Sequence, residues 1–581
     1  MKIDRRTVLE RAGLAAAAVA LRANAWAWAP DGSSMTPVAT TKAGKISGVL
    51  QDGINVFKGV PYGGDTAKRR FMPPVPPDKW TGVKDCSQFT TMAPQLQQQR
   101  GEGSGGARPE TRPNGAAGRP AGATAATASS GVTGAPREEG KQSEDCLHLN
   151  VFTPGLRDHK RRPVLVYIHG GAYNNGTVNS DLYDGRRLCH RGDVVVVTVN
   201  HRLNAFGYLY LGNLAPEYAE SGNAGQLDLV LALKWVRENI AEFGGDPTRV
   251  LIFGQSGGGA KCAALMATPV AKGYFHRVMS MSGQQIKGAS IEIAADRAKT
   301  VLAKMGITES VKGKELIAAL NALTMEQIQE GARAVSSDWL PVVDNVILSR
   351  NPFDPDAPVL SQDVPMVLGN VHDETGVQGS PNMTWDQAPQ ALDRSVHEYL
   401  GPVTPEDAIA AFRQADPNYT PLQVVRAAAT AFRAWPGQRW EAERRAANPV
   451  SQKHTWVYQM NFPGANGLAM HTLDIPFMFD NVEIASRQVG SEPEHLEQAN
   501  ELAAIMSQML ITYGRTGNPN GDISLQKATQ DGKLPYWPAY DLKNRATMMW
   551  EAKPRIEDDP RRGERLEAEK SHYHQAGTPL P

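Results

Sequence analysis

The apolar positions of this chain follow two alternating patterns. Residues 163–168 and 194–199 are apolar runs of strand length, the second interrupted only by Thr198, as expected of parallel strands covered on both faces. Residues 227–243 instead show helical spacing. Leu229, Leu231, Ala232, Leu233, Trp235, Val236 and Ile240 form an apolar stripe, Gly244 and Gly245 supply the stop, and Asp246-Pro247 a turn. A strand at 250–253 and a helix at 257–266 repeat the alternation, and 365–369 and 455–460 again read as strands. Residues 294–329 and 405–447 read as accessory helices over the sheet. The fold class this predicts is α/β, a mostly parallel central sheet with helices on both faces. In such sheets reactive groups sit on loops beyond the carboxyl ends of the strands.

Two segments break the pattern. Residues 97–142 consist almost wholly of Gln, Gly, Ala, Arg, Pro, Ser, Thr and Glu, without an aromatic residue. Such a stretch buries too little apolar surface to offset its ordering entropy, and it reads as a disordered insertion within a single catalytic domain spanning 36–581. At the start, Arg5-Arg6 precede a mildly apolar stretch over 12–21 and the small-x-small sites Ala23-Asn24-Ala25 and Ala25-Trp26-Ala27. Residues 1–27 therefore read as a removable export signal and imply a periplasmic or secreted protein. The Arg pair resembles a twin-arginine signal, although Asp4 and Glu10 leave the Sec route open.

Charge narrows the function classes. Lys+Arg and Asp+Glu number 61 each in 581 residues, which leaves no basic field for nucleic acid or anionic lipid. No run of apolar residues after the signal is long enough to cross a bilayer. Four cysteines exclude a disulfide scaffold, and no Cys/His cluster has metal-ligand spacing.

The chemistry concentrates at Gly254-Gln255-Ser256-Gly257-Gly258, which follows a strand and opens a helix. A serine on such a turn projects its hydroxyl above the sheet, beside a helix N-terminus that favours developing negative charge. Taken alone, Gly-x-Ser-x-Gly is equally a surface turn. The longer pattern settles the matter. Phe243-Gly244-Gly245, Val250, Ile252 and the serine motif together resemble the active-site signature of the type-B carboxylesterases. Glu144-Asp145-Cys146-Leu147-His148-Leu149-Asn150-Val151 resembles that family's second signature. Phe57-Lys58-Gly59-Val60-Pro61-Tyr62, Arg70-Phe71, Gly222-Asn223 and Ala232-Leu233-Lys234-Trp235-Val236 add to the likeness, which covers 36–96 and 143–550.

The resemblance implies an α/β-hydrolase fold and a site for each role. Ser256 is the nucleophile. His471, in Met470-His471-Thr472-Leu473-Asp474, is the base that takes its proton. Glu374, in the exit loop Asn370-Val371-His372-Asp373-Glu374-Thr375, is the acid that orients the base, with Asp373 as runner-up. The chain order Ser256, Glu374, His471 is also that of α/β-hydrolases. His169-Gly170-Gly171-Ala172-Tyr173 directly follows a strand, and by resemblance the backbone amides of Gly171 and Ala172, with that of Gly257, form the oxyanion hole. Ser282 resembles a buried family serine near the triad.

Several positions depart from the family. Gln255 stands where many relatives carry Glu, which removes a negative charge beside the nucleophile. No aromatic residue lies between Thr90 and Cys146, where cholinesterases place a choline-stacking Trp, so a cholinesterase is disfavoured. Ala93 replaces the Cys of a loop disulfide while Cys86 lies seven residues earlier, which leaves a Cys86–Cys146 bridge open. Cys189 and Cys262 read as buried free thiols. Val335 and Ser337 replace bulky aromatics of tight acyl pockets and imply room for larger acyl groups. The expectation is an exported carboxylic-ester hydrolase acting on a small-molecule ester through an acyl-enzyme, with no cofactor and no metal. Thioesters, carbamates, lactones or activated amides fit the same machinery, and a binding protein that has lost its chemistry is the remaining alternative. The sequence assigns no oligomeric state.

Overall fold

The computed structural model describes residues 36–95, 140–335, 339–377, 379–521 and 534–571. The export segment 1–27, most of the insertion at 97–142 and Ser337 lie outside the described residues. A small sheet joins Val38–Thr40 (β1), Lys45–Ser47 (β2) and, from further along the chain, Val83–Asp85 (β5). The main sheet begins with Val49–Gln51 (β3), Ile54–Pro61 (β4), His148–Thr153 (β6), Arg162–Ile168 (β7) and Val195–Val199 (β8). It continues with Gly245–Gln255 (β9), Arg277–Met281 (β10), Met366–Val371 (β11), Thr455–Met460 (β12), Ala546–Trp550 (β13) and Arg555–Asp558 (β14). Among the described residues these eleven strands pair in the order β14-β13-β12-β11-β10-β9-β7-β8-β6-β4-β3. Every pair from β8 across to β13 is parallel, and the flanking pairs are antiparallel.

The continuous apolar runs have the cause anticipated for them. Along β7, Val164, Val166 and Ile168 enter one buried cluster with Leu229, Leu233 and Val236 of the helix Ala224–Asn239. Leu165 and Tyr167 enter the opposite cluster with Leu502, Met506 and Leu510 of the helix Pro493–Thr516. A strand with helices on both faces has no solvent side, so alternate residues are apolar alike, each side chain stabilising by roughly 1.5–3 kcal/mol on burial.

The structure corrects several boundaries. The helix expected at 227–243 runs Ala224–Asn239 and tightens into a 3-10 turn over Ile240–Phe243, ended by Gly244 at φ +71°. The strand expected at 250–253 is the end of a longer β9, in which the register shifts between Arg162↔Gly245 and Val164↔Val250. Asp246 folds back within that irregularity to accept the Thr248 amide at 2.9 Å. The helical stretch expected at 294–329 is three helices, Ile291–Lys304, Gly313–Ala322 and Met325–Ala332. That at 405–447 is also broken: Pro405–Ala415, Pro421–Ala429, a π-helical turn Thr430–Ala434 and Trp435–Ala447. Pro436 has no amide to continue the i→i−4 ladder, which accounts for the wider turn just before it. The 24-residue helix Pro493–Thr516 was not predicted. At the end of the segment 97–142, Lys141 O accepts the Met92 amide at 3.1 Å and Gln142 pairs with Met92. All four cysteines are buried free thiols, so Cys86 and Cys146 form no bridge.

Two buried ion pairs tie loops to this frame. Arg70 grips Glu144 through both carboxylate oxygens and caps the Leu320 and Leu323 carbonyls, which gives the Glu of the second signature a structural task. Arg202 donates to Asp228 at 2.9 and 2.7 Å and to the Met72 and Ala224 carbonyls, with both side chains almost wholly buried. Removing one member of such a pair strands the other charge, at a cost of about 3–5 kcal/mol. Asp228→Ala is therefore expected to lower the urea midpoint by a corresponding amount. A loss below about 1 kcal/mol in equilibrium unfolding would contradict this account of the pair.

Candidate active site

Ser256 stands between the last residue of β9 and the helix Gly257–Met266, at φ +57° and ψ −126°. A non-glycine residue there is strained and persists only where its neighbours fix it. Its amide donates to Met281 O at 2.7 Å and its carbonyl accepts the Ala260 amide at 3.0 Å. The glycines after it are required by close approach: a Cβ on Gly258 would lie 2.0 Å from Ile168 O, and one on Gly257 2.3 Å from Ala172 O. The serine turn is thus wedged against the exit loop of β7.

The histidine and the acid arrive from the ends of neighbouring parallel strands. Glu374, just after β11, places Oε2 at 2.5 Å from His471 Nδ1, while its Oε1 accepts the Val371 amide at 2.8 Å. Asp373, the runner-up acid, turns elsewhere. Its carboxylate accepts the Ala469 amide at 3.1 Å, and its backbone bridges to Met470, joining the acid loop to the histidine loop. Next to His471, Thr472 is held at φ +79°, an outlier for a β-branched residue, with its hydroxyl accepting from Gln488. The Gln255 amide lies 3.3 Å from His471 Nε2. No hydrogen bond joins Ser256 Oγ to His471 here. Such contacts commonly tighten only when substrate is bound.

Burial alone would hold the His471 imidazole neutral, but the charge and hydrogen bond of Glu374, with Asp474 behind it, outweigh desolvation and raise its pKa. Asp474 is fully buried, accepts the Tyr458 hydroxyl at 2.7 Å, and is pushed up to about 6 by burial and then by the nearby Glu374.

Gly171 and Ala172 occupy the left-handed region at φ +82° and +50°, and their amides have no hydrogen-bond partner among the described residues. Gly257 opens its helix, so its amide has no intrahelical acceptor. A Cβ on Gly257 would lie 2.5 Å from Ala172 N, so the backbones of these two residues are in contact. Ser282, at φ +50°, donates its amide to Gly369 O at 2.6 Å and leaves its hydroxyl buried and unpartnered. Val335 is half-buried in a short turn against the cluster of Tyr173, Phe206 and Trp339. Sequence reasoning missed Lys261, a fully buried lysine in the helix after Ser256 that reaches the β7 exit loop. It also passed over Asp474 as a buried group. A lysine among Gly, Ala, Cys, Leu and Met was the available signal for the first; for the second there was little, since burial of one carboxylate at the start of the short helix Asp474–Met478 is not written in its neighbours.

All these loops leave the carboxyl ends of adjacent parallel strands, and that placement on a sheet of this order defines the class: the fold is that of the α/β-hydrolases. The sequence profile of the Carboxylesterase family matches residues 35–569, and the chain belongs to that family. It is 30% identical to the para-nitrobenzyl esterase of Bacillus subtilis (strain 168) over 536 residues, 90% of this chain and 96% of that protein. It is 29% identical to the phenmedipham hydrolase of Pseudarthrobacter oxydans over 88% of this chain and 94% of the relative. Among solved structures, a Geobacillus stearothermophilus carboxylesterase superposes with a TM-score of 0.71 at 32% identity, covering 91% of this chain and 99% of the other.

The electrostatics of His471 are open to direct titration by NMR of its imidazole. Glu374→Gln removes the main group favouring protonation and is expected to drop the pKa below that of the parent protein. Gln255→Glu adds a carboxylate beside the ring and is expected to raise it. Unchanged values in both variants would show that neither neighbour sets the imidazole charge.

Proposed function

We propose that this carboxylic-ester hydrolase works through Ser256 as nucleophile, His471 as general base and Glu374 as the group that orients and charge-stabilises the imidazole. The observation that carries this reading is the 2.5 Å contact between His471 Nδ1 and Glu374 Oε2, next to a serine in a strained turn. With Nδ1 engaged by the acid, Nε2, which the Gln255 amide approaches at 3.3 Å, is the nitrogen that takes the Ser256 proton as Oγ attacks the ester carbonyl. The carbonyl oxygen becomes an oxyanion, which the amides of Gly171, Ala172 and Gly257 receive. Collapse expels the alcohol, protonated by His471, and leaves an acyl-enzyme. Water, deprotonated by His471, attacks the acyl carbon, and the carboxylic acid departs as Ser256 regains its proton. The uncharged Gln255 beside the base suits neutral esters, and Val335 with Ser337 in place of aromatics suits the larger acyl groups. Export by the segment 1–27 belongs to the same proposal, and N-terminal sequencing of the secreted protein tests it.

Hydrolysis of p-nitrophenyl esters from acetate to long-chain and aromatic acids is the test. Ser256→Ala is expected to lose about 10⁴- to 10⁶-fold in kcat with its fold intact. A variant retaining a tenth of the parent rate would remove Ser256 from the chemistry. Only neutral His471 can accept the proton, so activity falls as pH drops through its pKa. Because that pKa is raised, the acid limb of kcat/KM is expected above the ordinary histidine value of about 6.5.

A further inference from the structure

Lys261 is fully buried on the helix Gly257–Met266, and among the described residues no carboxylate lies within ion-pair distance of it. An ammonium in such a place is costly, and burial alone pushes its pKa down to about 7. An apolar side chain of equal length would spare that cost. What the ammonium supplies is donors in a fixed direction. Its Nζ donates to Ala172 O at 2.7 Å and to His169 O at 3.3 Å, and lies 5.4 Å from the centre of the Tyr173 ring.

The two carbonyls bracket a short piece of chain. Between them lie the peptide units 170–171 and 171–172, whose N–H groups are those of Gly171 and Ala172. The other carbonyls of the loop are also engaged: Gly170 O by His169 Nδ1, Gly171 O by the Asn174 and Asn175 amides, and Tyr173 O by the Asn204 amide. The loop's acceptors are therefore all engaged, and the two amides are left free. Ala172 holds a left-handed conformation that costs a non-glycine residue about 1–2 kcal/mol, so it relaxes unless something outside the loop restrains it. Lys261 is that restraint, and it extends from the helix that carries Gly257. Beneath it His169 and His201 stack at 4.6 Å, with three of their ring nitrogens buried and unpartnered; burial and then the lysine push His169 down to about 3. Held neutral, the two rings do not repel the ammonium, and Nζ hydrogen-bonds to neither of them.

We propose that Lys261 is the positioning residue of the oxyanion site, a strut from the helix bearing Gly257 that fixes the direction of the Gly171 and Ala172 amides by holding the carbonyls on either side of them. This rests on the reading that those amides receive the oxyanion. Lys261 touches no reacting atom, so its loss acts on the transition state and spares ground-state binding.

The test is Lys261→Met, assayed for kcat and KM on a p-nitrophenyl ester and for inhibition by an aryl trifluoromethyl ketone, which forms a serine hemiketal, against the matching methyl ketone. The expected result is a fall in kcat of about ten- to a hundred-fold, KM within about three-fold, and a parallel loss of affinity for the trifluoromethyl ketone alone. The unfolding midpoint is expected to hold, because a desolvated charge has been removed. A folded variant with kcat within two-fold of the parent, or equal weakening of both ketones, overturns the proposal. Should Lys261→Met not fold, Lys261→Gln decides: an amide reaches one carbonyl in place of two, so a fall of about three-fold or more in kcat at unchanged KM is expected, and parental kcat overturns. The parent enzyme separates the two readings. If a fluorophosphonate fails to label its Ser256, the oxyanion reading falls and this proposal with it. If labelling is normal and Lys261→Met is fully active, only the strut falls.

Discussion

A serine at φ +57° and ψ −126° has left the regions open to L-residues, and it stays there because nothing around it can yield. Its amide is committed to Met281 on the next strand and its carbonyl to Ala260 in the next helix. The glycines that follow press against Ile168 and Ala172 with no room for a methyl group. Those contacts run through β7, β9 and β10, the three central strands of the main sheet, so the stiffness of the parallel core is what keeps the turn strained. The other parts of the site refer to this fixed point: the β7 exit loop is wedged against it, and the loops of Glu374 and His471 descend from strands in register with it.

Polar groups around that point are kept in place mostly by backbone rather than by one another. Glu374 is held by the Val371 amide, Asp373 by the Ala469 amide, and Lys261 by two carbonyls. A carboxylate or ammonium bound to a peptide group inherits the precision of the main chain, whereas a pair of long side chains shares only its own flexibility. The pairs that do stand alone, Arg70 with Glu144 and Arg202 with Asp228, are buried and also cap carbonyls, and they work on the frame away from the serine.

What could be read in the amino-acid order follows the same division. The apolar runs of β7 and β8 and the helix after Ser256 were legible because each is a local pattern with a local cause, whereas the roles of Gly171, Glu374 and His471 were carried by resemblance. The choice of Glu374 over Asp373 came from resemblance, and only the geometry supplies its reason, since both are carboxylates in one loop and differ in what faces them. Features that depend on distant chain were not legible. The helix Pro493–Thr516 owes its place to the far face of the sheet. Cys86 and Cys146 invited a bridge by type and number, but a bond between them is a matter of where two strands end, not of spacing. Lys261 was visible as an oddity, and its use required knowing which carbonyls it meets.

The apolar interior is partitioned. Two clusters flank the sheet, while Leu302, Leu316, Ile328 and Trp339 close a third with Tyr173, and Leu392, Phe412, Val424 and Phe432 a fourth with Tyr399. The helices above the serine therefore rest on cores of their own. Substitutions within them trade stability mostly inside their own cluster, and the third meets the site through Tyr173 of the β7 exit loop and Ala260, whose amide holds the Ser256 carbonyl. A chain built this way can revise what it admits to the cleft while inheriting its reaction, so divergence among such proteins should accumulate in the third and fourth interiors away from Tyr173 and Ala260, and be sparse in the first two.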